Sequence, residues 1–211
     1  MSDNQTIIYI VRHGQTQMNT ENRLQGRVDS PLTELGIKQA QALGEKFKEI
    51  GFDAIYSSPA GRARDTAKHL KLERALDVMV VDDLAERSFG SSEGITMEES
   101  MVLYKDKHEE YRVLNTEERT KFKFTEDSEN DIEVAERFLK ALKTIAEANY
   151  GKTLLIVSHG GTLRSVLARF DRNYYNRQMY QINNTAWAKI SYDGDNFKLL
   201  EIDGVEKKND N

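Results

Sequence analysis

Two kinds of hydrophobic period alternate along the chain. Ile7-Ile8-Tyr9-Ile10-Val11 and Thr153-Leu154-Leu155-Ile156-Val157 are unbroken apolar runs rich in β-branched residues, the pattern of strands buried on both faces. Asp53-Ala54-Ile55-Tyr56 and Val78-Met79-Val80-Val81 predict two shorter strands. Between them the period changes to that of a helix. Ala40, Leu43, Phe47 and Ile50 share one face of a helix opened by Pro31 and Thr33 and closed by Gly51. Ser58-Pro59 reads as an N-cap followed by proline at the first helical position, with the helix running from 59 to about 71. Ile132, Ala135, Phe138, Leu139, Leu142 and Ile145 trace the apolar face of a helix from Asp131 to Gly151. Ala186–Tyr192 and Phe197–Ile202 flank the turn Asp193-Gly194-Asp195-Asn196 as a hairpin. Residues from about 95 to 130 are charged and carry no strand signal, so they read as a helical insertion and a candidate lid. The polar tail Glu206–Asn211 reads as disordered.

Strands alternating with helices imply an α/β fold, a three-layer sandwich with a mostly parallel central sheet, helices on both faces and a helical insertion. The expectation is a single domain over residues 1–211. In such sheets ligands bind beyond the carboxyl ends of the strands. His13 and His159 each follow an apolar strand and precede a glycine, which puts both at that edge. The other two histidines, His69 and His108, lie in helical stretches and read as packing or solvated imidazoles.

Composition narrows the function. The 211 residues carry a formal net charge of -5 and no cysteine. The first property argues against nucleic-acid or polybasic membrane partners. The second removes disulfides, thiolate nucleophiles and cysteine zinc sites, and suits a reducing, cytoplasmic setting. Residues 1–6 have neither the basic nor the apolar region of a secretory signal. No apolar run is long enough to span a bilayer. An anionic substrate must therefore find its positive charge in a few converging side chains. Arg12, beside His13, offers a planar fork suited to phosphate oxygens. Arg62, one turn into the helix after Ser58-Pro59, offers a second. Glu86 follows the third strand and, near two arginines and two histidines, is a candidate proton donor. Glycine-lysine phosphate loops, G-x-S-x-G elbows, dinucleotide fingerprints and H-E-x-x-H metal motifs are all lacking. Two histidines with two arginines describe a cationic pocket for a phosphate dianion, with no metal and no cofactor called for.

At Arg12-His13-Gly14-Gln15-Thr16-Gln17-Met18-Asn19 the sequence resembles the histidine phosphatase superfamily, the phosphoglycerate mutase-like family, whose signature is R-H-G-x-T-x-x-N. Further stretches resemble it in family order from about residue 7 to 192. They are Gln25-Gly26 with Asp29–Thr33 and Gly36, Tyr56–Ala67, Leu84–Gly94, Val157–Gly161 and Asn184-Thr185. The resemblance implies a metal-independent phosphomonoester phosphatase of the histidine acid type. His13 would be the nucleophile. Arg12, Arg62 and His159 would hold the phosphoryl oxygens, assisted by Asn19 and a backbone N–H near Gly160. Glu86 would protonate the leaving oxygen, which requires its protonation near working pH, and Gln25 and Gly26 would border the substrate, a small phosphorylated metabolite. A cofactor-dependent phosphoglycerate mutase and a non-catalytic phosphate-binding protein are the alternatives, in that order; monomer and homodimer both stay open. Many members have tryptophan where this chain has Ser92, a change expected to open that wall of the pocket.

Overall fold

The central strands are apolar without interruption because each is covered twice. The computed structural model describes residues 5–175 and 180–207. The first half contains β1 (Thr6–Arg12), α1 (Gln17–Thr20), α2 (Glu34–Lys46), β2 (Ala54–Ser57), α3 (Gly61–Leu70) and β3 (Val78–Val80). The insertion holds α4 (Met97–Leu103), α5 (Lys105–Val113) and α6 (Thr116–Lys121). Then come α7 (Asp131–Ala148), β4 (Thr153–Ser158), α8 (Gly160–Phe170), β5 (Tyr180–Tyr192) and β6 (Phe197–Lys207). The strands form one sheet in the order β3-β2-β4-β1-β5-β6. β3, β2, β4 and β1 are parallel, and β5 and β6 add an antiparallel hairpin.

Side chains alternate across the pleat, so each central strand feeds two cores. Ile8, Ile10, Leu154 and Ile156 meet Phe138, Leu142, Leu163 and Leu167 from α7 and α8. Tyr9, Val11, Leu155 and Val157 meet Leu43 of α2, its C-cap Phe47, and Ala63 and Ala67 of α3 on the other face. This is the three-layer sandwich that the alternating periods implied. Among the described residues, no helix is long and apolar enough to cross a membrane.

Several boundaries differ from the sequence reading, each for a local reason. α2 ends at Lys46, well before Gly51, because Phe47 turns inward as the C-cap and the chain tightens through Ile50. α3 begins at Gly61 rather than Pro59. Ser58 is drawn toward the site, and the cap comes from elsewhere in the chain, as described below. α8 has no counterpart in the sequence reading, since Gly160-Gly161 is a poor helix opening by propensity. β5 starts six residues earlier than Ala186 and includes the polar stretch Asn183-Asn184-Thr185. A register shift between Ile182 and Trp187, with Thr185 at φ 59° and Gly204 at φ 71°, bends the hairpin there. β6 continues through Glu206, which pairs with Gln181 and accepts from the Asn183 amide at 2.8 Å. The expected disordered tail is thus ordered in part. Its last four positions, 208–211, and residues 1–4 of the amino terminus lie outside the described residues.

Candidate active site

β1 and β4 are in register, Arg12 opposite Ser158, so the next residue of each leaves the sheet at the same level. Those residues are His13 and His159, and their rings meet edge to face with centroids 5.2 Å apart. The backbone of His13 is pinned on both sides. Its N–H donates to the Ser158 carbonyl at 3.0 Å, and the Gly14 N–H donates to Thr66 Oγ1 at 3.0 Å. His13 Nδ1 lies 2.7 Å from the Gly14 carbonyl, which can only accept. Nδ1 therefore carries the ring proton and Nε2 keeps a free lone pair. Gly14 permits this packing, because a Cβ there would sit 2.4 Å from the Gly36 carbonyl oxygen.

Two arginines flank the ring, Arg12 half-buried and Arg62 fully buried. Arg12 Nη1 donates to the Ile182 carbonyl. Arg62 rises from the first turn of α3, whose opening N–H groups are capped by Asp29: Gly61 donates to it at 2.7 Å and Arg62 at 3.2 Å. The Arg62 side chain then grips the loop that carries its own cap. Nη1 donates to the Val28 carbonyl at 2.8 Å and to Asp29 at 3.3 Å, and Nη2 donates to the Gly26 carbonyl at 2.7 Å. His159 Nε2 lies 2.7 Å from Ser58 Oγ, which also accepts the Ala60 N–H at 3.3 Å.

Glu86 closes the opposite side against the start of α8. It accepts N–H groups from Arg87 at 2.8 Å, Gly161 at 3.0 Å and Thr162 at 2.9 Å, and the Thr162 hydroxyl at 3.0 Å. A Cβ on Gly161 would sit 2.7 Å from that carboxylate, so the glycine is what lets α8 approach.

The result is a pocket of about 240 Å³ lined by Arg12, His13, Asn19, Gln25, Gly26, Arg62, Glu86 and Gly160. Eight of the nine residues singled out in the sequence thus share one wall. The ninth, His159, is fully buried with its ring against that of His13 and is not among the residues lining the pocket. Around His13, Arg12 Nε, Arg62 Nε and His159 Nδ1 are buried without a hydrogen-bond partner. Buried donors are rarely left unsatisfied, so three in one place mark where an oxyanion would be welcome. Sequence reasoning missed Arg23 and Arg164, which also line the pocket, and Thr162, which holds Glu86. The only sequence signal for Thr162 was its place directly after the strand-ending His-Gly-Gly. Ser92 is not part of this wall; it is buried against a second cavity. Asn184, from the bent start of β5, donates to the His13 carbonyl and to Asn19 Oδ1, both at 3.2 Å.

Electrostatics fix the resting protonation. Burial, then the charges of Arg62 and Arg12, hold His159 well below the ordinary imidazole value. Burial, then His159 and both arginines, do the same to His13, so both rings are neutral. Burial lowers Arg12 to about 10 and also lowers Arg62. Burial would raise Glu86, but the N–H groups of Arg87 and Gly161, the Arg62 charge and the Thr162 hydroxyl outweigh it and hold the carboxyl below its usual value. The resting group is a carboxylate, not the protonated acid that a proton donor must become. The linkage is explicit for the histidines. An unfolded imidazole takes up its proton near pH ~6.5 while the folded rings do not, so the unfolded state binds more protons below that pH. Stability is fully present above pH ~6.5 and is lost as pH falls toward the folded values. Urea midpoints at pH 7.5 and 5.5 should show this decline, and His159→Gln should flatten it. A midpoint independent of pH across that window would contradict the assignment.

The arrangement has known counterparts. A model of the histidine phosphatase superfamily, branch 1, matches residues 8–203. This chain belongs to that superfamily. A metal-independent phosphoserine phosphatase of Arabidopsis thaliana is 36% identical over 166 residues, covering 78% of this chain and 68% of the relative. The phosphatase PhoE of Bacillus subtilis is 28% identical over 93% of both chains. Among solved structures, Bacillus stearothermophilus YhfR superposes with a TM-score of 0.83 at 30% identity, covering 94% of this chain and 96% of the other. The protein is accordingly an enzyme of the phosphatase and phosphoglycerate mutase-like class.

Proposed function

We propose that this enzyme is a phosphomonoester phosphatase in which His13 carries the phosphoryl group. The observation that supports this most is the set of three orphaned N–H donors around a neutral imidazole whose Nδ1 proton is anchored on Gly14. With Ser58 donating to His159 Nε2, Nδ1 of that ring holds its proton and joins Arg12 and Arg62 as a donor to phosphoryl oxygens. Asn19, Gln25, Gly26 and Gly160 border the same space. Phosphoryl transfer needs in-line positioning and charge neutralisation above all, and here fixed side chains supply both. Among the described residues, no three histidine or carboxylate side chains are grouped to hold a metal ion.

The chemistry then runs in two steps. His13 Nε2 attacks phosphorus as the P–O ester bond breaks, and Glu86 gives its proton to the departing alkoxide. Glu86, now ionised, takes a proton from water, whose oxygen attacks the phosphohistidine and releases orthophosphate. The proton on Glu86 arrives with the substrate. A dianion beside the carboxylate raises its affinity for a proton, so binding and protonation are coupled.

The test follows product fate by phosphorus NMR with phosphoserine, 3-phosphoglycerate and simple alkyl phosphates, with and without EDTA. Orthophosphate should accumulate from several esters, unaffected by chelation. Interconversion of 2- and 3-phosphoglycerate faster than phosphate release, with 2,3-bisphosphoglycerate present, would make the mutase reading the right one. No turnover of any ester would leave a binding protein.

A further inference from the structure

Behind the phosphate pocket lies a second cavity of about 210 Å³, walled by Phe89, Leu24, Tyr111, Phe122, Phe124 and Ser92. Leu24 and Phe89 line both spaces, so the cavity adjoins the pocket on a side where the organic part of a bound ester can lie. Its character is the opposite of its neighbour's. Tyr111, Phe122 and Phe124 form a mutual ring cluster with centroids 5.1–5.5 Å apart, and His108 packs on Phe124 at 4.7 Å. The arginines on its wall are engaged: Arg87 pairs with Asp131, and Arg119 donates to the Tyr111 and Arg112 carbonyls at 3.2 and 2.8 Å. An anion finds little here, whereas an apolar ring finds a fitted wall. An apolar cavity of about 150 Å³ suffices to bind benzene, so this one has room for a substituted ring. One polar atom interrupts it. Ser92 is 3% exposed, and its Oγ is buried with no hydrogen-bond partner. At the outer side Met97 and Met101, 41% and 51% exposed, leave adaptable apolar side chains at the wall.

We infer that this cavity receives the leaving group, and that the enzyme favours phosphomonoesters of alcohols bearing an aromatic ring with one hydrogen-bonding atom for Ser92. The inference rests on the phosphatase reading for the chemistry at His13. The ring is held in the cavity while the ester oxygen stays beside Glu86, and the alcohol departs with the Glu86 proton as before.

Aryl phosphates are a poor test because phenoxides leave easily by themselves. The matched pair is 3-phenylpropyl phosphate against propyl phosphate, whose alkoxides are of similar basicity. Burying the ring should give about a 10- to 100-fold higher kcat/KM for the phenylpropyl ester, carried mainly by KM. In the wild-type enzyme toluene, which can fill the cavity without reaching the ester oxygen's place beside Glu86, should inhibit hydrolysis of the phenylpropyl ester competitively at concentrations that scarcely slow propyl phosphate. Ser92→Trp, which fills the cavity, should bring the ratio of the two esters to within about threefold. The toluene experiment decides the matter if that variant does not fold. Equal kcat/KM for the two esters, or equal inhibition of both by toluene, overturns the leaving-group assignment while leaving phosphatase action intact. Failure to hydrolyse either ester or any other monoester would instead overturn the phosphatase reading.

Discussion

His13→Ala should lose on the order of 10⁴-fold or more in kcat, because a nucleophile and the groups built around it act as a unit. The wild-type enzyme, quenched with denaturant during turnover of labelled substrate, should hold phosphate that is stable to base and labile to acid. The variant should hold none. Neutrality of the ring makes the prediction sharper, since burial, His159 and the two arginines all favour the unprotonated form. Activity should then persist below the ordinary imidazole value, until protonation of the substrate or unfolding intervenes. A His13→Ala enzyme that turns over at near-normal rates would end the mechanism proposed here.

Replacing Glu86 by glutamine should cost about 10²- to 10⁴-fold, but only where a proton is needed. Alkyl phosphates should suffer the full loss, whereas p-nitrophenyl phosphate, whose leaving group departs as an anion, should be slowed far less. Equal slowing of both would mean that the carboxyl binds or positions rather than donates. The structure adds a complication that the comparison of two substrates removes. Glu86 accepts three backbone N–H groups and a hydroxyl, and a glutamine amide cannot accept on both arms. One of those donors is left unsatisfied, at a cost of about 1–3 kcal/mol in stability. Stability falls equally for both substrates, so only the difference between them reports on proton transfer.

Much of the site was legible because its placement depends on local pattern. Two apolar runs ending in His-Gly identify neighbouring parallel strands, and register then brings His13 and His159 together. Arg12 comes with His13, and the residues of the signature octet come with α1. What the sequence withheld depends on partners far along the chain. Nothing around Gly61 announces that Asp29 caps α3, and the serine that looked like the cap is turned toward His159. Gly160-Gly161 conceals α8, since the helix is stabilised by packing and by Glu86 at its first turn rather than by propensity. No apolar alternation marks the start of β5, only the resemblance at Asn184-Thr185, because Asn184 reaches into the site instead of a core. The resting ionisation of Glu86 was equally invisible. It results from N–H groups of α8 and of its own neighbour, which only the folded chain brings to bear.

The grip of Arg62 on the loop at Gly26, Val28 and Asp29 has a consequence for anyone who would redesign this enzyme. The same guanidinium that supplies charge to the pocket also sets the height of the loop bearing Gln25 and Gly26. Lysine could keep the charge but could not hold two carbonyls and a carboxylate from one plane. Anion affinity and the shape of the substrate-facing rim are therefore a single variable here. Library designs that diversify positions 24–29 will drag phosphate binding along with specificity, whereas the wall formed by the insertion can be varied with Arg62 left undisturbed.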